Sequence, residues 1–387
     1  STVPGARLHL PAHADALAHL GVCLRHSQVG PCLPCTTTNS GRPVDLLPTL
    51  AIFSRPSLLR YVSAPRRRLF SAASAAARHA LAQDPTSPCA LAEVLITPLR
   101  YLSVGVPPQH QPSISFRTAP PPLATPLALA LRGKLAPAHS AMSTPSGPTA
   151  SPSVADLSTL FPPPPDGEAN ELRQIATLLP PCTPVTAEEV SSAVAGLKKR
   201  KAPGPYGSFS EHESLVPPSS TAALINAFVT RASPLPDLML RSWGTLLPKP
   251  QGGFRPIAVS EPITRVIGRI LASRLTTPHL VSLLRRTGQL SPTRHGAAIL
   301  ANLAGLTPTT SSDIVNAFNS LLRSFMLRAV ISLAPEAARL TALLYLSPSR
   351  IDLGSHDLSP LRGVRQGCPA AAPLFALAVA YALTAYP

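Results

Sequence analysis

The chain has 387 residues with 34 Lys and Arg against 18 Asp and Glu, a formal net charge of +16. Such a field favours polyanions, either nucleic acid or an anionic membrane surface. Hydrophobic residues make up 45%, enough for a core, but 48 prolines and 4% aromatics exclude uniform packing along the whole length.

Six cysteines scattered over this length do not form a disulfide framework, and no charged segment followed by an apolar one opens the chain. An intracellular, reducing setting is expected. Near the start, "CLRHSQVGPCLPC" offers Cys23, His26, Cys32 and Cys35 as candidate zinc ligands. A C-x-x-C turn can supply two of the four donors, although the gap between His26 and Cys32 is shorter than in usual fingers.

Further on, "PRRRLFSAASAAARHALAQDPTSPCALAEVLITPLRYL" reads as one or two helices broken at Pro85 and Pro88, with Arg66 to Arg68 at a solvated end. This N-terminal helical region, 1–105, is expected to be loosely folded. Between Pro107 and Pro165 stand fifteen prolines among Ala, Ser and Thr. Residues 106–170 are therefore expected to form a Pro-rich, largely disordered linker.

From Thr186 the periodicity sharpens. Thr186 and Glu189 predict a capping box, and Val190, Ala193, Val194 and Leu197 fall on one helical face. Lys198, Lys199, Arg200 and Lys201 are expected at the end of that helix, where its dipole favours cations, before Pro203-Gly204-Pro205 stops it. Next, Leu246–Lys249 and Phe254–Val259 read as two short strands around Gly252-Gly253. With a three-residue loop Lys249 lies across from Arg255, a two-pronged phosphate clamp. Ile263, Val266, Ile267, Ile270 and Leu271 then trace a buried stripe, with Arg265 and Arg269 expected on a solvated face.

"KAPGPYG", "LLPKPQGGFRPIAV" with "ITRVIGRILASRL", "SDIVNAFNSLLR" and "LRGVRQGCPAAAPLFALAVA" occur in this order. In order and approximate spacing they resemble the reverse transcriptases of non-LTR retrotransposons, most of all the site-specific elements of trypanosomatids associated with spliced-leader genes. The resemblance covers roughly residues 171–387. It implies an α+β fold, the fingers and partial palm of a right-hand polymerase, and an RNA-directed DNA polymerase taking an RNA template, a DNA primer and dNTPs with Mg²⁺ in the nucleus. Two metal ions held by clustered carboxylates activate the nucleophile and neutralise the leaving group in such chemistry.

By the same resemblance Asp313 is a catalytic Mg²⁺ ligand, and Lys249 and Arg255 hold the triphosphate. Phe318 lies beneath the sugar, and Gln366 and Gly367 sit against nucleotide and template. Departures from the pattern are Tyr206 in place of an aspartate, Ala297 and Ala298 where a glutamate is common, and the Pro308-containing, polar stretch before Asp313.

The chain stops at Pro387, before the hairpin with two further aspartates that completes the metal site in relatives. Asp352 and Asp357, expected in a small hairpin, are poor substitutes. The 387-residue chain is accordingly expected to be inactive as a polymerase, with its last apolar helix uncovered. Two alternatives remain open: a non-catalytic, basic nucleic-acid-binding remnant, and a C-terminal membrane anchor. The anchor would use the uncharged Ala370–Tyr386 behind Arg362 and Arg365, but Pro373 and a length short of the ~20 residues of a span argue against it, and no membrane is expected.

Overall fold

The computed structural model describes residues 22–23, 28–29, 64–102, 154–199, 201–248, 254–287, 316–353 and 356–385. They form a mostly helical α+β protein with a small mixed four-stranded sheet. The chain divides into two compact units. The first comprises 1–105, 161–244 and 258–387, and the second 106–160 and 245–257.

In the first unit a short ladder pairs β1 (Val22–Cys23) with β2 (Gln28–Val29) antiparallel. Helices α1 (Ala64–Gln83) and α2 (Pro88–Leu102) follow, separated at the predicted prolines. The exposed Arg66, Arg67 and Arg68 occupy the first turn of α1, while Phe70, Ala77 and Leu81 are buried.

Part of the stretch expected to be a disordered linker is ordered. Helix α3 (Val154–Leu160) belongs to the second unit, and Phe161–Asn170 to the first. There the prolines 162–165 lead straight into α4 (Glu168–Thr177). Proline preorganises an extended approach, and Glu168 and Glu171 in the first turn complement the dipole of the helix they begin. The buried carboxylate of Glu168 also accepts from Ser324 N at 2.9 Å and Ser324 Oγ at 2.7 Å, satisfying a second helix terminus.

Helix α5 (Ala187–Ala195) starts with the predicted capping box. Thr186 accepts from Glu189 N at 3.2 Å, and Glu189 accepts from Thr186 N at 3.0 Å. It ends sooner than expected, at Gly196, so Lys198, Lys199 and Lys201 lie beyond the helix rather than in its last turn. Next come α6 (Ser210–Glu213), α7 (Pro218–Arg231) and α8 (Asp237–Leu240). Helix α1 packs on α2 and α7, and its buried Arg78 is bound by both Glu213 carboxylate oxygens at 2.9 Å and by the Thr221 hydroxyl.

The strands β3 (Arg241–Pro248), β4 (Phe254–Ser260), β5 (Arg350–Asp352) and β6 (Asp357–Leu358) are ordered β4-β3-β5-β6. β3 begins five residues before its predicted start and runs parallel to β5, with Ser242 opposite Ile351. β5 and β6 form the expected hairpin, with Asp352 opposite Asp357. Inward positions of β4 alternate with more exposed ones, the period of two expected of a half-buried strand.

Helix α9 (Pro262–Arg274) buries Ile263, Val266, Ile267, Ile270 and Leu271, the stripe read in the sequence. After α10 (Pro278–Arg286) the described chain resumes with α11 (Ala317–Ser320), α12 (Arg323–Leu333), a 3₁₀ turn and α13 (Ala338–Tyr345). The last helix, α14 (Ala371–Ala385), is not uncovered as expected. It packs on α12, α10 and α9, burying Leu374, Leu377 and Ala380, with the Phe325 and Tyr381 rings 5.5 Å apart. Its apolar surface is thus satisfied by helices already present in the chain. No helix among the described residues is long and apolar enough to cross a membrane.

Candidate functional site

In the first unit, β4 at Ala258 and the segment around α11 meet at one turn, Leu361–Pro369. Ala258 at the end of β4 donates its N–H to Gln366 O at 2.6 Å. On the other side, Val364 donates to Phe318 O at 2.8 Å and Gly363 to Leu321 O at 2.7 Å, fixing the turn to α11. Arg362 Nε donates to Ser320 O at 2.7 Å, Arg323 Nε to Gly363 O at 2.9 Å, and Arg365 Nη1 to Leu240 O at 3.1 Å.

Two glycines make this closeness possible. Gly363 and Gly367 have φ of 78° and 117°. A side chain on Gly363 would overlap the backbone of Phe318 and Asn319, and one on Gly367 the carbonyl of Ala258. Both the backbone region and the space therefore favour glycine. Gln366 is half-buried and Gly367 exposed, so the tip of the turn faces solvent while its flanks are pinned. Phe318, on α11, is half-buried with its ring edge-on to Phe375 at 5.4 Å.

The "KAPGPYG" segment is anchored to the start of α9. Tyr206 donates its N–H to Glu261 Oε1 at 2.6 Å, and Glu261 stands at the N-cap of α9 just before Pro262. Burial pushes the Glu261 carboxyl up to about 7, although the bond from Tyr206 and the charge of Arg265 work against it. Tyr206, read as a departure from the motif, is itself buried, and desolvation raises its phenol well above its ordinary range.

Arg265 and Arg269 are not the solvated face expected. Arg269 lies against Gly196, and the Nε and Nη2 of Arg265 and the Nε of Arg269 are shut off from solvent. The fold lays the loop after α5 over this face of α9, a long-range contact that helical periodicity does not encode. His212 is buried between the Phe70 and Phe209 rings, and loss of hydration lowers it to about 4, so it is neutral.

Of the residues singled out from the sequence, Gln366, Gly367 and Phe318 meet around the pinned turn. Arg255 is exposed on the part of β4 that belongs to the second unit. Asp313, Lys249, His26, Cys32 and Cys35 lie outside the described residues, and so does the side chain of Cys23 on β1. Among the described residues no group of three or more His, Cys, Asp or Glu can share a metal ion. Asp352 is bound by Arg241 at 2.9 Å and Asp357 stands 3.9 Å from Arg350, so this acidic pair is already matched by cations. The described carboxylates therefore do not fit a pair of Mg²⁺ ions.

A cleft of about 270 Å³ beside Glu189 and Arg274 is likewise internally matched. Arg274 gives Nε and Nη2 to the two Glu189 oxygens at 2.8 Å each, and Nη1 to Thr183 O and Cys182 Sγ. Sequence reading missed Arg323, Tyr345 and Glu261. The one available signal was a glutamate immediately before Pro262, a helix-start position. No family model matches the chain.

Proposed function

We propose that residues 171–387 are the fingers and part of the palm of an RNA-directed DNA polymerase of the non-LTR retrotransposon type, working in the nucleus on an RNA template and a DNA primer. The observation that carries this reading is convergence. Four segments that resemble polymerase motifs in order are also joined in space, by the Tyr206–Glu261, Ala258–Gln366 and Val364–Phe318 hydrogen bonds.

In this reading the turn at Gln366–Gly367 presents a backbone edge on which a base pair can rest, with glycine permitting close approach. Phe318, joined to the turn through its backbone carbonyl, is assigned to the nucleotide sugar by resemblance alone. Lys249 and Arg255 are assigned to the triphosphate by resemblance alone. Asp313 is assigned to the catalytic Mg²⁺ by resemblance alone, and the described residues contribute no further ligand.

A second reading is favoured by the net charge of +16 and the exposed Lys198, Lys199 and Lys201: a non-catalytic protein that holds nucleic acid through its phosphates. One titration separates the two. The 387-residue chain is titrated with an RNA template–DNA primer duplex, with Mg²⁺ and either the matched or a mismatched dNTP. A nucleotide site makes the duplex complex tighter with the matched dNTP, and Asp313→Ala removes that increment. Binding that ignores base matching, and weakens steeply with salt, leaves only the phosphate-holding reading.

A further inference from the structure

Arg323 and Arg365 lie against the ring of Tyr345, with guanidinium carbons 5.4 and 5.5 Å from its centre. All three side chains are buried, Arg323 at 1% and Arg365 at 3% relative exposure. Arg323 donates to Gly363 O, Tyr345 O, Ser347 O and Ser349 Oγ, all neutral acceptors. Arg365 gives Nη1 to Leu240 O, while its Nε and Nη2 are buried without a hydrogen-bond partner. Among the described residues no carboxylate forms an ion pair with either. Glu168, whose charge acts on Arg323, has both oxygens engaged by Ser324.

Two cations with no counter-ion in a desolvated core are costly, since burial without pairing forfeits hydration and regains little. Desolvation lowers Arg323 to about 9, and the neighbouring Arg365 charge acts in the same direction. Water can satisfy an orphan donor but not the charge. The unpartnered, enclosed edge also has a definite shape. Nε and Nη2 form the two-donor fork that Arg274 uses in this same molecule to grip both oxygens of Glu189.

We propose that the Arg323–Tyr345–Arg365 stack is an internal oxyanion site, in which a phosphate-class or carboxylate anion is held in bidentate fashion on the Nε/Nη2 edge of Arg365. Both donor atoms are shut off from solvent, so binding requires the hydrogen bonds that pin the Gly363–Cys368 turn to open. This site rests on buried charge and guanidinium geometry and is independent of the polymerase reading.

Thermal unfolding of the full chain tests it, with inorganic phosphate or acetate replacing chloride at constant ionic strength. The expected result is a saturable rise in melting temperature of about 5 °C at a hundredfold excess over the dissociation constant. A rise with phosphate identifies a free tetrahedral anion, and a rise with acetate a carboxylate. Arg365→Lys keeps the charge but not the fork, and moves the midpoint at least tenfold higher in anion. Arg365→Met abolishes the response, whereas the surface pair K198Q/K199Q retains it. Calorimetric titration of the wild type with phosphate and with acetate gives one site per chain for the anion that raises the melting temperature, a reading that needs no variant. No saturable response to either anion overturns the proposal, and so does a response unchanged in both Arg365 variants, which means an adventitious ion only.

Discussion

The backbone N–H of Tyr206 is bonded at 2.6 Å to the carboxylate of Glu261, a residue 55 positions further along the chain. This bond ties the loop after α5 to the N-terminus of α9, and it does so with a carboxyl raised to about 7 by burial. In the native state Glu261 holds its proton at pH values where the unfolded chain, near 4.5, has lost it. Its contribution to stability is therefore present at low pH and lost as pH rises from about 4.5 through about 7.

His212 acts in the opposite sense. Its native value of about 4 lies below the ordinary 6.5, so the unfolded state binds the extra proton and stability falls as pH drops from 6.5 towards 4. Each effect is worth on the order of 3 kcal/mol across its window. Between about pH 4.5 and 6.5 the two slopes oppose each other. Urea midpoints are expected to decline with pH in His212→Gln and to rise with pH in Glu261→Gln. Parallel profiles in the two variants would show that these groups are not the ones titrating.

The Arg78–Glu213 pair joins α1 to α6 beneath both surfaces, with side chains 6% and 7% exposed. Arg78→Met leaves Glu213 charged and unpaired, and is expected to cost about 3–5 kcal/mol. The double variant R78M/E213Q recovers a large part of this. Equilibrium unfolding of the wild type, R78M, E213Q and the double variant gives the coupling directly, and additive losses would contradict a direct pair.

Gly367→Ala is expected to cost more than about 1 kcal/mol, because alanine disfavours a positive φ and its methyl meets the Ala258 carbonyl. In the duplex titration it weakens the matched-dNTP increment more than it weakens binding without dNTP. An equal loss in both would mean that the turn serves stability alone.

Leu374 is buried on α14, whereas Leu383 on the same helix is 54% exposed. Leu374→Ala is expected to cost about 2–5 kcal/mol and Leu383→Ala within about 0.5 kcal/mol, measured by chemical denaturation. Similar small effects at both positions would return α14 to the uncovered helix expected from the sequence.

Local chemistry was legible in the sequence. The Thr186–Glu189 capping box, the buried stripe of α9, the breaks at Pro85 and Pro88 and the Asp352–Asp357 hairpin each depend on residues within a few positions of one another, where spacing alone fixes geometry. The order of the four motif segments was equally plain.

Only the tertiary structure decided which charges are buried. Arg265 and Arg269 read as a solvated face because helical periodicity says where an apolar stripe lies and nothing of the loop that crosses the opposite side. Arg362 and Arg365 read as a basic flank, yet Arg365 is enclosed with Arg323 around Tyr345 by segments 20 to 125 residues apart. The cost of an unpaired charge is set by its desolvation, and desolvation is a property of the assembled core.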